Sequence, residues 1–178
     1  MARWRHVPLT LSFLVTLLSA MTALASRDEY QVKAAFLLNF AKLVKWPAKN
    51  QPAPGQPIVL GIVGDAGVAK SMSSKLEGAQ VGKHPVAVRI VSRAAQVEGC
   101  HIVFLASGRD DDAILEAARS RAALSVGESE GFAARGGMVN FFSEGKKLRF
   151  EINTDAAAQA EIEISSRLLR LAKLVADQ

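Results

Sequence analysis

The sequence predicts a single-domain α/β fold, in which a mixed, mostly parallel sheet is flanked by helices and followed by an antiparallel hairpin and a terminal helix. Three observations indicate this fold. Short apolar runs alternate with helix-like segments between residues 58 and 126. A pattern of period two, typical of a hairpin, follows near residues 138–152. About 150 residues remain after an N-terminal leader, which is the size of one domain.

The leader has the three parts of a secretory signal peptide. Arg3, Arg5 and His6 form a basic start, Leu9 to Leu18 form an apolar run, and Ala23-Leu24-Ala25 is a small-x-small cleavage site before Ser26. The apolar run is shorter than the ~20 residues of a membrane-spanning helix, and no cysteine follows the cleavage site, which disfavours a lipoprotein. We therefore expect a signal peptide at residues 1–25, a mature domain at residues 26–178 and a periplasmic location.

Charge and cysteine usage exclude several functions. The net charge is +5, and loss of Arg3 and Arg5 with the leader leaves about +3 without any lysine or arginine block. Nucleic-acid binding is therefore disfavoured. Cys100 is the single cysteine, so no intrachain disulfide can form. It is either a buried apolar residue at the start of a strand or an intermolecular redox link, and the first interpretation is favoured.

Metal binding has weak support. Cys100 and His101 are adjacent, so on a strand their side chains point to opposite faces. His84 is the only other histidine after residue 25, and neither histidine has a carboxylate at helical spacing.

The first predicted helix runs from a cap at Asp28 to Trp46 and is stopped by Pro47. Its apolar stripe is formed by four residues at helical spacing: Val32, Phe36, Phe40 and Leu43. Asn39 lies on or beside this stripe. Its amide is either a ligand contact or a satisfied hydrogen-bonding group within the fold, and the second interpretation is favoured.

Strands are then predicted at residues 58–63, 86–91, 101–105 and 123–126, with the first buried on both faces. Helices are predicted at residues 68–76 and after the capping residues Asp110 to Asp112. Gly64 and Gly67 lie where a strand gives way to a helix, a place where backbone amides can hold a small anion. A plain turn is the favoured interpretation, and these two glycines stay as ligand-contact candidates.

One motif suggests an enzyme. Gly127-Glu128-Ser129-Glu130-Gly131 matches the G-x-S-x-G nucleophile elbow and follows an apolar strand. A hydrolase of that type needs a histidine downstream of its serine, and all three histidines lie upstream. The two flanking glutamates would also oppose an oxyanion. We predict no catalytic residue, no cofactor and no metal, and a serine hydrolase is a disfavoured alternative.

The C-terminal third reads as a hairpin and two helices. Met138 to Phe142 is the first strand, and residues 148–152 alternate in the second. Asn153 and the two residues after it offer oxygens that can cap a helix. Ser165 and Ser166 can cap a last amphipathic helix whose apolar stripe contains Leu168, Leu169, Leu171, Leu174 and Val175.

Strand parity leaves the exposed side of the hairpin open. Either Val139 and Phe141 or Met138 and Phe142 face outward, and nothing local decides between them. The candidates for partner contact are Phe132, Arg135 and Phe142.

Three segments of the chain resemble the YfiR-like family of periplasmic proteins: EYQVKAAFLLNFAKLVKWP from residue 29, GCHIVFLA from residue 99, and SVGESEGFAARGGMVNFFSEGKKLRFEIN from residue 125, which is followed by ISSRLLRLAKLV. The resemblance implies a regulator without a catalytic motif that binds and represses an inner-membrane diguanylate cyclase. It also implies release when an envelope signal sequesters the regulator, a step that an outer-membrane lipoprotein can perform. A homodimer is left open, and a periplasmic small-molecule sensor is the alternative function.

Overall fold

The computed structural model describes residues 29–109 and 111–176. The predicted signal peptide at residues 1–25 lies outside the described residues, as do the predicted capping residues Asp28 and Asp110. The helices are α1 (29–43), α2 (Ala66–Leu76), α3 (Asp112–Ser120), α4 (Thr154–Gln159) and α5 (Ser166–Leu169). The strands are β1 (Val44–Lys45), β2 (Ile58–Val63), β3 (Gln80–Val81), β4 (His84–Ile90), β5 (Ile102–Leu105), β6 (Leu124–Gly127), β7 (Val139–Glu144), β8 (Lys147–Asn153), β9 (Glu163–Ile164) and β10 (Lys173–Val175).

The main sheet has eight strands in the order β10-β8-β7-β6-β5-β2-β4-β3. Strands β4, β2, β5, β6 and β7 run parallel to one another. Strands β3, β8 and β10 run the opposite way, because β3 pairs antiparallel with β4, β8 pairs antiparallel with β7, and β10 pairs parallel with β8. Strands β1 and β9 form a separate two-stranded sheet. The predicted α/β class with a mostly parallel sheet is confirmed.

Two apolar clusters sandwich the sheet. The larger contains α1, α2 and α4 and includes Phe40, Phe104 and Phe141. The smaller lies under α3 and includes Cys100 and Phe132. Strand β2 contributes to both, because alternate side chains of a strand point to opposite faces. Its predicted burial on both faces is confirmed.

The prediction for the first helix was wrong at its end and at Val32, whereas Phe40 is buried and Phe36 and Leu43 pack against the larger cluster as predicted. Helix α1 stops at residue 43, and Val44 pairs with Ile164 in the two-stranded sheet. The Trp46 indole donates a hydrogen bond of 2.9 Å to the carbonyl of His101. These tertiary contacts outweigh the local preference for three more helical residues. Val32 is 47% exposed, because the buried face of the helix is centred on Ala34, Leu37, Phe40 and Ala41.

The terminal helix is much shorter than predicted. Helix α5 has only four residues, and Lys173–Val175 form β10 instead of continuing the helix. Leu171 and Leu174 are 66% and 56% exposed and do not form a buried stripe. Pairing with β8 satisfies backbone groups at the rim of the sheet, which a short isolated helix could not do.

The hairpin is confirmed, but neither predicted outward pair is exposed, because Val139, Phe141 and Met138 are buried and Phe142 is only half-buried. Phe141 lies opposite Phe150 and is buried in the larger cluster. Phe142 lies opposite Arg149 on the other face and is half-buried. The Asn153 side chain accepts a hydrogen bond of 2.9 Å from the Ala156 N–H, so its predicted capping role is confirmed.

Candidate functional site

A cluster of charged side chains lies at the carboxyl ends of the parallel strands, where open α/β sheets commonly bind ligands. Ser107 follows β5 and Glu128 follows β6, while Glu29, Tyr30 and Lys33 come from the first turns of α1. We call these five residues the Lys33 cluster. The side chains of Lys33 and Glu128 are each only 6% exposed and form an ion pair. The cluster thereby joins the start of α1 to the Gly127–Gly131 turn.

Glu128 has several donors. The Tyr30 hydroxyl donates to Glu128 Oε1 at 2.9 Å, the Ser107 N–H donates to the same oxygen at 2.7 Å, and Lys33 Nζ bonds to Oε2. Lys33 also pairs with Glu29 one turn away and lies 4.8 Å from the centre of the Tyr30 ring. Burial and the neighbouring Glu128 charge raise the pKa of Tyr30 well above its ordinary value. Tyr30 is therefore a stable hydrogen-bond donor at neutral pH.

A cleft of about 250 Å³ borders the Lys33 cluster and is also lined by Phe142 and Leu148 of the hairpin. The polar groups of the Lys33 cluster that line it are already bonded to one another, which favours a structural role over a ligand site. The sequence contains only a weak indication of the Lys33 cluster. Glu29, Tyr30 and Lys33 have i, i+1 and i+4 spacing at a helix start, but no local pattern names Glu128 as their partner.

The geometry does not support the hydrolase interpretation. Ser129 lies in the turn after β6, at the carboxyl end of the sheet. His84 starts β4 and His101 precedes β5, so both lie at the amino end of the parallel strands. Glu128, beside the serine, is bound to Lys33 and Tyr30. No described histidine is therefore placed to activate Ser129.

The amides near Gly64 and Gly67 already have an acceptor. The Asp65 carboxylate accepts hydrogen bonds from the Gly67 and Val68 N–H groups at 2.8 and 2.9 Å. These bonds lower the pKa of Asp65. An anion at this helix start would have to displace a carboxylate, so a turn with an N-cap explains the two glycines.

Asn39 is exposed. It lies with Val32 and Phe36 along a groove of about 400 Å³ on α1, which Lys75 of α2 borders. Asn39 therefore lies beside the predicted stripe, as expected, but its side chain is exposed, so the favoured interpretation of a buried amide bonded within the fold is wrong.

The three partner-contact candidates lie in different environments. Phe132 is 1% exposed, and its ring packs against Gly127 and Gly137, so it is a core residue and is not available for partner contact. Arg135 is exposed and donates to the Glu130 carbonyl at 2.7 Å. Phe142 is half-buried, with Lys173 Nζ 5.8 Å from its ring centre.

Cys100 and His101 face different clusters, as predicted. Cys100 is a free, buried thiol, and burial raises its pKa. The His101 ring packs edge-on against Trp46 and accepts a hydrogen bond of 3.1 Å from the Val59 N–H at Nδ1. Burial, with the nearby charge of His84, lowers the pKa of His101. Within residues 29–109 and 111–176, no group of three or more His, Cys, Asp or Glu side chains is placed to hold a metal ion.

A larger cavity of about 590 Å³ lies at the amino end of the sheet. Trp46, Ile58 and Val81 give it apolar walls, and His84 and Lys42 contribute polar groups. His84 Nδ1 lies 2.9 Å from the Gln56 carbonyl, which can only accept, so Nδ1 carries the proton.

A family model described as YfiR/HmsC-like matches residues 30–173. The chain belongs to the YfiR/HmsC-like family. Members of this family are periplasmic regulators connected with diguanylate cyclase signalling, and the family is regulatory and not catalytic. No curated protein shows significant similarity to the chain.

Two solved structures are similar to the chain at low identity. A conserved domain protein from Vibrio cholerae O1 biovar El Tor is 16% identical with a TM-score of 0.48, and the match covers 66% of this chain and 54% of that one. The ABC domain in complex with L-Trp from Streptococcus pneumoniae is 11% identical with a TM-score of 0.50, covering 66% and 56%. The chain thus spans about half the length of these solved chains. In the described part of the chain, no helix has the length and apolar character needed to cross a membrane.

Proposed function

We propose that the protein binds the periplasmic domain of an inner-membrane diguanylate cyclase, holds it inactive and so lowers cyclic di-GMP. The match to the YfiR/HmsC-like family over residues 30–173 carries this proposal. Release would follow when an envelope signal sequesters the regulator, for example on an outer-membrane lipoprotein. The separation of Ser129 from both described histidines supports a binding role over a hydrolytic one.

Deletion of the gene tests the repressor role. We expect higher cyclic di-GMP and stronger surface attachment in the deletion strain, and restoration of both by the wild-type gene. Ser129→Ala should restore them equally well, because no described histidine can activate the hydroxyl. Unchanged cyclic di-GMP in the deletion strain, with every candidate cyclase expressed, would contradict the proposal. A folded but inactive Ser129→Ala protein would instead support the hydrolase.

The proposal requires export. The mature protein should begin at Ser26 and be recovered from the periplasmic fraction, which intact-mass analysis can determine. Recovery of a chain that retains residues 1–25, or recovery from washed membranes alone, would count against a cleaved signal peptide.

A small-molecule sensor is the second candidate, and the cavity of about 590 Å³ favours it. Trp46 lines that cavity and is the only tryptophan after residue 25. Its fluorescence therefore reports directly on occupancy. Fractionated small molecules from the cell envelope should shift that fluorescence saturably if an effector binds here, and His84→Ala should weaken the response. A response that is unaffected by His84→Ala would place the effector elsewhere.

A further inference from the structure

The outer rim of β10 carries exposed apolar and basic side chains. Leu171 and Leu174 are 66% and 56% exposed, and they are two of the four large hydrophobic side chains exposed among the described residues. Arg167, Arg170 and Lys173 are exposed beside them. We call these five residues the β10 edge.

The backbone of β10 is paired on one side only. Its inner side pairs with β8 in parallel register, and it ends the order of the eight-stranded sheet. In the described part of the chain, no strand pairs with its outer side. An unprotected edge of this kind is a template for strand addition, because its N–H and C=O groups can bond to an extended segment.

The β10 edge is held in place before any partner arrives. Leu168 is 2% exposed and anchors α5 in the core, while Leu169 and Ala172 pack against the same cluster. Lys173 Nζ lies 3.4 Å from Glu151 Oε2 on β8. A partner would therefore spend little conformational entropy on ordering this surface.

The charge of the edge selects the kind of partner. Glu151 is 13% exposed at its side chain and is paired with Lys173. No carboxylate of the described residues forms an ion pair with Arg167 or Arg170. Within the described ranges, the rim therefore presents two arginines without a carboxylate partner, Arg167 and Arg170, beside the exposed leucines. A second copy of the chain would bring a second basic rim against it, which like-charge repulsion disfavours.

We propose that the β10 edge receives an extended, acidic segment of a partner protein, which adds to the sheet as a further strand and covers Leu171 and Leu174. The identity of that partner as a diguanylate cyclase rests on the proposed function. The existence of the docking edge does not.

A synthetic heptapeptide in which glutamate alternates with valine tests the edge directly. Calorimetry should detect its binding to the mature protein, and hydrogen exchange should show new protection of amides at residues 173–175. The same heptapeptide with lysine in place of glutamate should bind at least about tenfold more weakly, because it repels the arginines. Rising salt should weaken the glutamate peptide.

Matched variants separate the edge from general surface effects. Leu171→Glu/Leu174→Glu should lower the affinity for the glutamate peptide by about a hundredfold, roughly tenfold for each leucine that loses its contact. Ile90→Glu is the control, because Ile90 is 50% exposed on β4, on the opposite side of the sheet order. It should bind like the wild type. Absence of protection at residues 173–175, or equal affinity in the double variant and the wild type, would overturn the proposal.

Purified periplasmic domains of the cyclases encoded in the same genome form a second arm. Binding of one domain that is lost in Leu171→Glu/Leu174→Glu, but kept in Ile90→Glu, supports both the edge and the proposed function. Peptide binding without any cyclase binding would overturn the proposed function and leave the edge standing. A wild-type dimer that the double variant converts to a monomer in sedimentation would show that a second copy occupies the edge, and would overturn the acidic-segment proposal.

Discussion

Loss of the Lys33–Glu128 ion pair should destabilise the domain. The effect of Glu128→Gln on the free energy of unfolding should also have opposite signs in the wild type and in the Lys33→Met variant. The two side chains are each only 6% exposed, and Glu128 also accepts from Tyr30 and Ser107. Lys33→Met removes the positive charge and leaves a buried carboxylate with two neutral donors. Glu128→Gln removes the negative charge while keeping an oxygen that can accept from those donors.

The magnitudes follow from what each change leaves buried. Breaking a buried ion pair by removing one partner costs about 3–5 kcal/mol. We expect about 3 kcal/mol for Lys33→Met, at the lower end, because Tyr30 and Ser107 still bond to Glu128. Glu128→Gln alone should cost about 1–2 kcal/mol, since Lys33 keeps the half-exposed Glu29 as a partner. In the Lys33→Met background the same change should instead stabilise the protein by about 1 kcal/mol, because it removes the orphaned charge.

Urea unfolding of the mature protein at pH 7 is followed by Trp46 fluorescence and circular dichroism. It gives the free energy of unfolding of the wild type, the two single variants and the double variant. Coincidence of the two probes checks that unfolding is two-state. Equal destabilisation by Glu128→Gln in both backgrounds would refute the reasoning, because additivity would mean that the two side chains do not interact.

Three further outcomes are expected. Gly137→Ala should lower the free energy of unfolding in urea by about 1–3 kcal/mol, because the added methyl group would overlap the buried Phe132 ring. Gly145→Ala is the control, because nothing lies near its added methyl group and its cost is backbone strain alone. An equal loss in both variants would contradict the steric argument. The pKa of His101 lies below its ordinary 6.5, so the unfolded chain binds more protons below that pH and stability should fall as the pH drops from about 6.5. His101→Gln should flatten this slope, and His84→Gln should weaken it only in part, because burial is the larger cause of the shift; a slope retained in His101→Gln would assign the effect to another group. Cys100 should react with a thiol reagent only after the protein is denatured, because the thiol is buried. Addition of reductant should leave the melting temperature unchanged. A dimer on a non-reducing gel would instead make Cys100 an intermolecular link.

Local patterns determined the class of the fold and most of its elements. The buried strand at 58–63, the helix after it and the hairpin all follow from apolar periodicity and turn chemistry, which act over a few residues. The Asn153 cap is equally local, because its side chain bonds three residues ahead. Family membership also came from the sequence, since its matching segments run through the chain in order.

Competing long-range contacts decided the rest. Residues 44–46 continue a helical pattern, but Val44 gains a strand partner 120 residues away at Ile164. The terminal helix yields to β10 for the same reason, because the free rim of β8 is formed only once the sheet is assembled.

The Lys33 cluster and the β10 edge also combine features that the local sequence determines with features that only the tertiary structure determines. The sequence by itself determined that Lys33 follows Glu29 by one helical turn, and that leucines and arginines are interspersed near residue 170. Only the tertiary structure decided that Glu128, 95 residues from Lys33, completes a buried ion pair, and that Leu171 and Leu174 are exposed instead of buried. Burial and pairing depend on which surfaces the sheet brings together, and that information is not contained in any local stretch of the chain.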